Sequence, residues 1–139
     1  MTTNCETKTI DMGAIKPFSV LYVEDEDNVR FTTAAMLTRQ YPHIRIDTAE
    51  NGAVGLEIFK GLYHDMVITD HNMPIMTGAR MACEIRLLCP DTAILFVTAG
   101  LHSDAMQFLI AEGMAHYLEK PVNFNQLFRF IDGYIQDRP

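Results

Sequence analysis

Four short apolar runs in this sequence end on side chains that could do chemistry. The run MVIT ends on Asp70, and Pro74 follows four residues later, where neither a strand nor a helix continues easily. The side chains that follow the other three runs are Glu24 and Asp25, Thr98, and Lys120. If the four runs are strands that end at one edge of a parallel sheet, then carboxylates, a hydroxyl and a cation meet where such sheets bind ligands.

These groups together have a definite chemistry. Clustered carboxylates repel one another unless a cation joins them, and oxygen ligands without Cys or His favour Mg²⁺ or Mn²⁺ over Zn²⁺. A carboxylate beside such an ion can attack a phosphoryl group and form an acyl phosphate. The ion, Lys120 and Thr98 would then stabilise charge on the transferring oxygens. Each residue alone has an ordinary explanation, such as acids at a helix N-terminus or a surface lysine, so the prediction depends on the combination.

The elements that must position these side chains alternate along the chain. Apolar or alternating runs predict strands at about 18–23, 44–47, 66–69, 93–97 and 115–118, with the second at a sheet edge. Capping residues and helical spacing predict helices at about 24–40, from 51, at 78–88, from Ser103 to near Gly113, and from about 124 to 135. Five strands that alternate with five helices predict a doubly wound α/β fold with a parallel sheet. Periodicity does not give the strand order, but the flavodoxin-like order 2-1-3-4-5 would bring strands one, three and four together.

Length and composition exclude several classes. The chain has 139 residues, 48% of them hydrophobic and 21% charged, which indicates one domain at 17–137 after a polar tail at 1–16. The tail lacks the apolar segment of a signal peptide and no apolar run has the roughly 20 residues of a membrane span, so we expect a cytoplasmic protein without membrane contact. A net charge of −7 argues against direct binding of nucleic acid. The cysteines and histidines show no metal-binding spacing, and each histidine is expected to be exposed or hydrogen-bonded.

At these residues the chain resembles the receiver domain of two-component response regulators. The resemblance covers about residues 18–136. The matching motifs are Val23-Glu24-Asp25, Asp70-His71-Asn72-Met73-Pro74 with Met76 and Gly78, Val97-Thr98-Ala99, and Tyr117-Leu118-Glu119-Lys120-Pro121.

The resemblance implies that Asp70 accepts a phosphoryl group from the phosphohistidine of a sensor histidine kinase or of a phosphotransfer protein. Asp25 and Asp70 would ligate Mg²⁺ together with the main-chain carbonyl of Asn72. Glu24, where many members of the family carry Asp, would act mostly through water. The residues that bind the phosphoryl group and switch would be Thr98, Ala99, Tyr117 and Lys120. The resemblance assigns no role to His71.

The resemblance also implies the output. The face made by the fourth helix, the fifth strand and the last helix would make or break a protein contact on phosphorylation, and a homodimer is one such contact. The domain would be a switch rather than an enzyme, apart from autophosphorylation by small phosphodonors and autodephosphorylation. It would be either a stand-alone receiver or the N-terminal piece of a longer regulator.

Two other functions are weighed against this one. A phosphatase of the haloacid dehalogenase type also uses an aspartate and magnesium. It requires a second acid two residues after the nucleophile, where this chain has Asn72. A degenerate receiver that acts only in docking would lack some of the site residues, whereas all are present. Nucleotide binding has no support, since no glycine-rich phosphate-binding motif follows a strand.

Overall fold

The computed structural model describes residues 17–100 and 103–137. In this part of the chain five strands alternate with five helices. They are β1 (Ser19–Val23), α1 (Asp27–Gln40), β2 (Arg45–Ala49), α2 (Gly52–Leu62), β3 (Met66–Thr69), α3 (Gly78–Leu88), β4 (Ala93–Thr98), α4 (Asp104–Ala111), β5 (His116–Glu119) and α5 (Phe124–Gln136). The predicted tail at 1–16 lies outside the described residues. None of the helices described is both long and apolar enough to cross a membrane.

The strands form one parallel sheet with the order β2-β1-β3-β4-β5, which confirms the predicted fold and places β2 at an edge. Every residue of β1, β3 and β4 is buried, as expected for central strands covered on both faces. The second strand runs over 45–49 rather than 44–47, because its five residues pair one to one with the five residues of β1. The fifth strand is likewise shifted by one residue, to 116–119, by its pairing with residues 95–98 of β4.

Side chains of the central strands alternate between two apolar layers. In β1, Leu21 and Val23 pack in the cluster that also contains residues of α2, α3 and α4. Val20 and Tyr22 pack in the other cluster, with residues of α1 and α5. The period of two along a strand therefore distributes one buried run over two cores. The sheet is held from both sides, and this fixes the edge at which the strands end.

The helix ends follow the capping signals in the sequence. Ser103 caps α4 by accepting a hydrogen bond from the Met106 N–H at 3.3 Å, and Gly113 follows the helix with a φ of 73°, as a left-handed C-terminal glycine does. The first helix begins only at Asp27, and the side chain of its N-cap residue Glu26 makes no capping hydrogen bond. The run of four acids at 24–27 therefore does not mainly cap α1. Its first two members, Glu24 and Asp25, lie in the loop between β1 and α1.

Candidate functional site

The carboxylates of Glu24, Asp25 and Asp70 come together at the C-terminal edge of the sheet. Because β3 lies between β1 and β4, Asp70 emerges at the centre of that edge, next to the loop that carries the two other acids. One oxygen of each carboxylate lies within 4.8 Å of the others. Glu24 and Asp70 are only 3% and 9% exposed, whereas Asp25 faces solvent. The set is thus half enclosed and open to small solutes on the side of Asp25.

Lys120 brings a positive charge into this cluster. Its Nζ donates to Asp70 Oδ2 at 2.9 Å and lies 3.5 Å from Glu24 Oε1. Burial alone would lower the pKa of Lys120, but the hydrogen bond and charge of Asp70, together with Glu24, outweigh it and raise that pKa. Lys120 is therefore a cation at neutral pH. Its position is fixed from β4, since its main-chain N–H donates to the Thr98 carbonyl at 2.9 Å.

One lysine does not balance three carboxylates. Burial raises the pKa of Glu24, and the nearby charge of Asp70 raises it further. The Glu26 N–H, which donates to Glu24 Oε2 at 3.2 Å, and the charge of Lys120 offset this only in part. The site therefore carries more negative charge than its own residues neutralise. All of its ligand atoms are oxygens, and these are the conditions that suit Mg²⁺.

The two oxygens of Asp70 have different partners. Oδ1 accepts a hydrogen bond from the His71 N–H at 2.7 Å, while Oδ2 accepts from Lys120. The main-chain carbonyl of Asp70 accepts from the Thr69 hydroxyl at 2.7 Å. The bonds to Oδ1 and Oδ2 fix the plane of the carboxylate, so that its remaining lone pairs point in set directions from the edge of the sheet.

Gly78, the first residue of α3, lies against the main chain of Asp70. A Cβ built on Gly78 would come within 2.0 Å of the Asp70 carbonyl oxygen and 3.0 Å of the His71 Cα. Its N–H donates to the His71 carbonyl at 2.9 Å. Only glycine fits this close approach, which explains why the sequence has Gly78 eight residues after Asp70.

The other predicted residues lie on β4 and β5 or on the loops that follow β3 and β4, with different orientations. Thr98 is buried, and its hydroxyl donates to the Gly100 carbonyl at 3.0 Å. Ala99 and Asn72 are exposed on the loops that follow β4 and β3. Tyr117 lies on the edge strand β5 and is 40% exposed. The structure therefore brings Glu24, Asp25, Asp70 and Lys120 into one cluster, with Thr98 at the end of the next strand and Tyr117 at the surface.

Sequence reasoning missed Arg30, which supports the acidic loop from α1. Its side chain is largely buried, and its guanidinium donates to the Glu24 carbonyl at 2.8 Å and to Asp27 Oδ1 at 2.6 Å. The i, i+3 spacing of Asp27 and Arg30 was visible in the sequence as a helical ion pair. The bond to the carbonyl six residues earlier was not, because it depends on the path of the loop.

Residues 20–132 of this chain match the sequence model of the response regulator receiver domain. The chain belongs to this family. Receiver domains are signalling switches of two-component systems, are phosphorylated by histidine kinases and bind Mg²⁺ at an acidic pocket. Membership of this family favours a signalling switch over a phosphatase of the haloacid dehalogenase type.

Relatives and solved structures agree with this assignment. The chain is 30% identical over 126 residues to the transcriptional regulatory protein CitT of Halalkalibacterium halodurans, covering 88% of this chain and 54% of CitT. It is also similar to a CheY-like receiver from Methanospirillum hungatei, with a TM-score of 0.78 at 20% identity over 88% and 96% of the two chains, which shows the fold. The receiver TrrA of Thermotoga maritima, solved with Mg²⁺–BeF, is 32% identical over 84% and 98% of the chains, with a TM-score of 0.70. The chain spans about half or less of the length of the curated relatives it matches.

Proposed function

We propose that this domain is the phosphoacceptor of a two-component system and is phosphorylated on Asp70, with Mg²⁺, by a sensor histidine kinase or a phosphotransfer protein. The observation that carries the proposal is the position of the Asp70 carboxylate. It is bound by Lys120 at 2.9 Å on one oxygen and lies beside Glu24 and Asp25 within 4.8 Å. In this proposal residues 17–137 form the receiver domain, residues 1–16 a tail, and the protein acts in the cytoplasm.

The residues at the rim divide the chemistry between them. Asp25 and Asp70 would hold the ion with the Asn72 carbonyl, and Glu24 would act mostly through water. When bound, Mg²⁺ supplies the positive charge that the carboxylates and the phosphoryl oxygens lack. An Asp70 oxygen attacks phosphorus, a new O–P bond forms, and the P–N bond to the donor imidazole breaks. The imidazole leaves with the electron pair of that bond and takes up a proton. Lys120 stays with the phosphoryl oxygens and binds their charge.

Phosphorylation would change the face made by α4, β5 and α5. It adds about −1.5 to −2 charge and three acceptor oxygens next to Thr98. Those oxygens are stronger acceptors than the Gly100 carbonyl that the Thr98 hydroxyl now binds, so Thr98 turns toward them. Tyr117, 40% exposed in this structure, turns inward into the space that is vacated. The altered face makes or breaks a protein contact, of which a homodimer is one form. The phosphoryl group must favour one arrangement energetically for this to occur.

The first experiment uses a small phosphodonor in place of the kinase. With acetyl phosphate and Mg²⁺ the protein should take up one phosphoryl group, labile to hydroxylamine, and EDTA should prevent the uptake without unfolding the domain. Asp70→Asn should take up none, while Asp91→Asn, at an exposed position before β4, should react like the wild type. Phosphorylation of Asp70→Asn at the wild-type rate would mean that the nucleophile is misassigned.

The switch is tested on the phosphorylated protein. Amide NMR shifts on phosphorylation should extend from the rim to α4, β5 and α5, and sedimentation should show whether the mass doubles. Shifts confined to the rim, α1 and α2 would contradict the proposed output face.

A further inference from the structure

His71, to which the sequence assigned no role, binds the first turn of α3. The first N–H groups of a helix have no partners within the helix. The Gly78 N–H donates to the His71 carbonyl at 2.9 Å, and the Ala79 N–H donates to His71 Nδ1 at 3.3 Å. The next N–H, that of Arg80, donates to the Thr77 hydroxyl at 3.2 Å. A single residue, seven positions before the helix, thus satisfies two of its free donors.

The same residue also holds the proposed phosphoacceptor. The His71 main-chain N–H donates to Asp70 Oδ1 at 2.7 Å. The residue is only 7% exposed, so its ring is fixed inside the loop. In the contact with Ala79, the ring nitrogen Nδ1 is the hydrogen-bond acceptor. His71 therefore connects the carboxylate to the helix through one side-chain acceptor and two main-chain groups.

We propose that His71 is a positioning residue for phosphorylation, since its imidazole ties the loop 71–77 to α3 and so keeps its N–H on Asp70. The proposal rests on the function proposed above. Without the Nδ1 contact, the loop loses a hydrogen bond to the first turn of α3 at the residue whose N–H holds Asp70. The carboxylate can then turn away from the direction of attack. A displacement of about 1 Å in a reacting group can cost up to about 100-fold in rate.

Three substitutions of His71 distinguish the effect of where the hydrogen-bond acceptor lies from the effect of side-chain size. In His71→Asn, the amide oxygen takes nearly the place of Nδ1. In His71→Gln, the oxygen lies nearer to the place of Nε2, and His71→Leu has no acceptor. The maximal rate of Asp70 phosphorylation is measured at saturating acetyl phosphate and Mg²⁺. We expect this maximal rate to fall about tenfold or more in His71→Leu and His71→Gln. In His71→Asn it should stay within about threefold of the wild-type rate.

A matched variant removes a neighbouring cap of the same helix without touching Asp70. Thr77→Ala takes away the acceptor of the Arg80 N–H and should lower the stability of the domain while the maximal rate stays as in the wild type. Amide exchange at Ala79 should accelerate in the Leu and Gln variants and stay slow in Asn. This measurement needs only the folded part of the sample.

The outcomes are distinct. Equal rates for Asn and Gln, or a rate loss in Thr77→Ala as large as in His71→Leu, would show that the ring only stabilises the helix and would overturn the inference. If the Leu variant does not fold, the comparison of Asn with Gln decides. If the wild-type protein is not phosphorylated at all, the proposed function fails first; if it is and all variants match it, only the role of His71 fails.

Discussion

The ammonium group of Lys120 lies 2.9 Å from Asp70 Oδ2, although the two residues are 50 positions apart in the sequence. The contact joins the end of β3 to the end of β5, across the intervening strand β4. It leaves Lys120 within 3.5 Å of Glu24 as well. A cation that is shared between two buried carboxylates competes with any metal ion that binds the same oxygens.

Replacing Lys120 should therefore affect metal binding and phosphorylation in opposite directions. In Lys120→Met the affinity for Mg²⁺ should rise severalfold, because a competing positive charge is gone. The maximal rate of phosphorylation should fall by about 10–100-fold, because charge on the transferring oxygens is less stabilised. Calorimetric titration with Mg²⁺ and rates with acetyl phosphate check both parts. Lys60→Met, on the exposed side of α2, should change neither. A parallel loss of affinity and rate would indicate that Lys120 only holds the site together.

The close approach of Gly78 to Asp70 predicts a large effect of one methyl group. In Gly78→Ala the new Cβ would meet the Asp70 carbonyl oxygen at 2.0 Å, so the main chain of the site must move. We expect a loss of about 3 kcal/mol or more in the free energy of unfolding. Gly133→Ala is the matched control, since its Cβ would meet nothing within 4 Å on α5 and should stabilise the domain by about 0.5–1 kcal/mol. Urea unfolding followed by circular dichroism measures both, and equal effects would contradict the close approach.

His64 is a buried histidine whose pKa is lowered, mainly by burial, although Asp47 favours the charged form. The residue is 3% exposed; its Nε2 lies 2.8 Å from Asp47 Oδ2, and its Nδ1 has no hydrogen-bond partner in the described part of the chain. Arg45 on β2 and Asp65 also act on it, in opposite directions. The folded protein therefore holds this ring neutral at a pH at which the unfolded chain has begun to protonate it.

The free energy of unfolding should consequently decrease as the pH is lowered below 6.5, the ordinary pKa of histidine. The contribution of His64 is complete above that pH and is lost as the pH falls toward the lower pKa of the folded state. Its slope is at most about 1.4 kcal/mol per pH unit, the value for one proton. The check is the difference in unfolding free energy between the wild type and His64→Gln at pH 7.5 and 5.5, in which the other histidines cancel. A difference that does not change with pH would mean that His64 titrates normally in the fold.

The lifetime of the phosphorylated state should be short. Hydrolysis needs a water opposite the Asp70 oxygen on phosphorus. From the resemblance to receiver domains, we expect two residues to flank that water: Asn72, which is exposed and can hold a water, and Gly100, which has no side chain to block one. Asn72→Arg and Gly100→Lys should each slow the decay after the phosphodonor is removed at constant Mg²⁺. Unchanged decay in both variants would mean that access at these positions does not set the lifetime.

The sequence predicted the sheet because its signals are local. The three central strands are continuous buried runs, and the helices between them carry caps such as Ser103 and Asn51, which accept hydrogen bonds from residues three positions later. The exact ends of β2 and β5 were less predictable, since they are set by pairing with β1 and β4 rather than by their own residues. The strand order was not a local signal and came from the fold class.

The residues of the candidate site could be predicted from the sequence, but the orientations and contacts of their side chains could not. Acids, hydroxyl and lysine at four strand ends were enough to expect a cluster at one edge, and the structure brings Glu24, Asp25, Asp70 and Lys120 together there. A single histidine or arginine has no periodic signature, so the contacts of His71 with Ala79 and of Arg30 with the Glu24 carbonyl could not be foreseen. The present partner of the Thr98 hydroxyl depends on how the loop after β4 turns.

The most direct measurement of the central claim is the position of the phosphoryl group in the chain. After reaction with acetyl phosphate and Mg²⁺, borohydride reduces an aspartyl phosphate to homoserine, and peptide mass spectrometry locates that residue. We predict homoserine at position 70, absent when Mg²⁺ is chelated and absent without the phosphodonor. A modified residue at Asp25 or Glu24, or a phosphoryl group carried by a histidine, would contradict it.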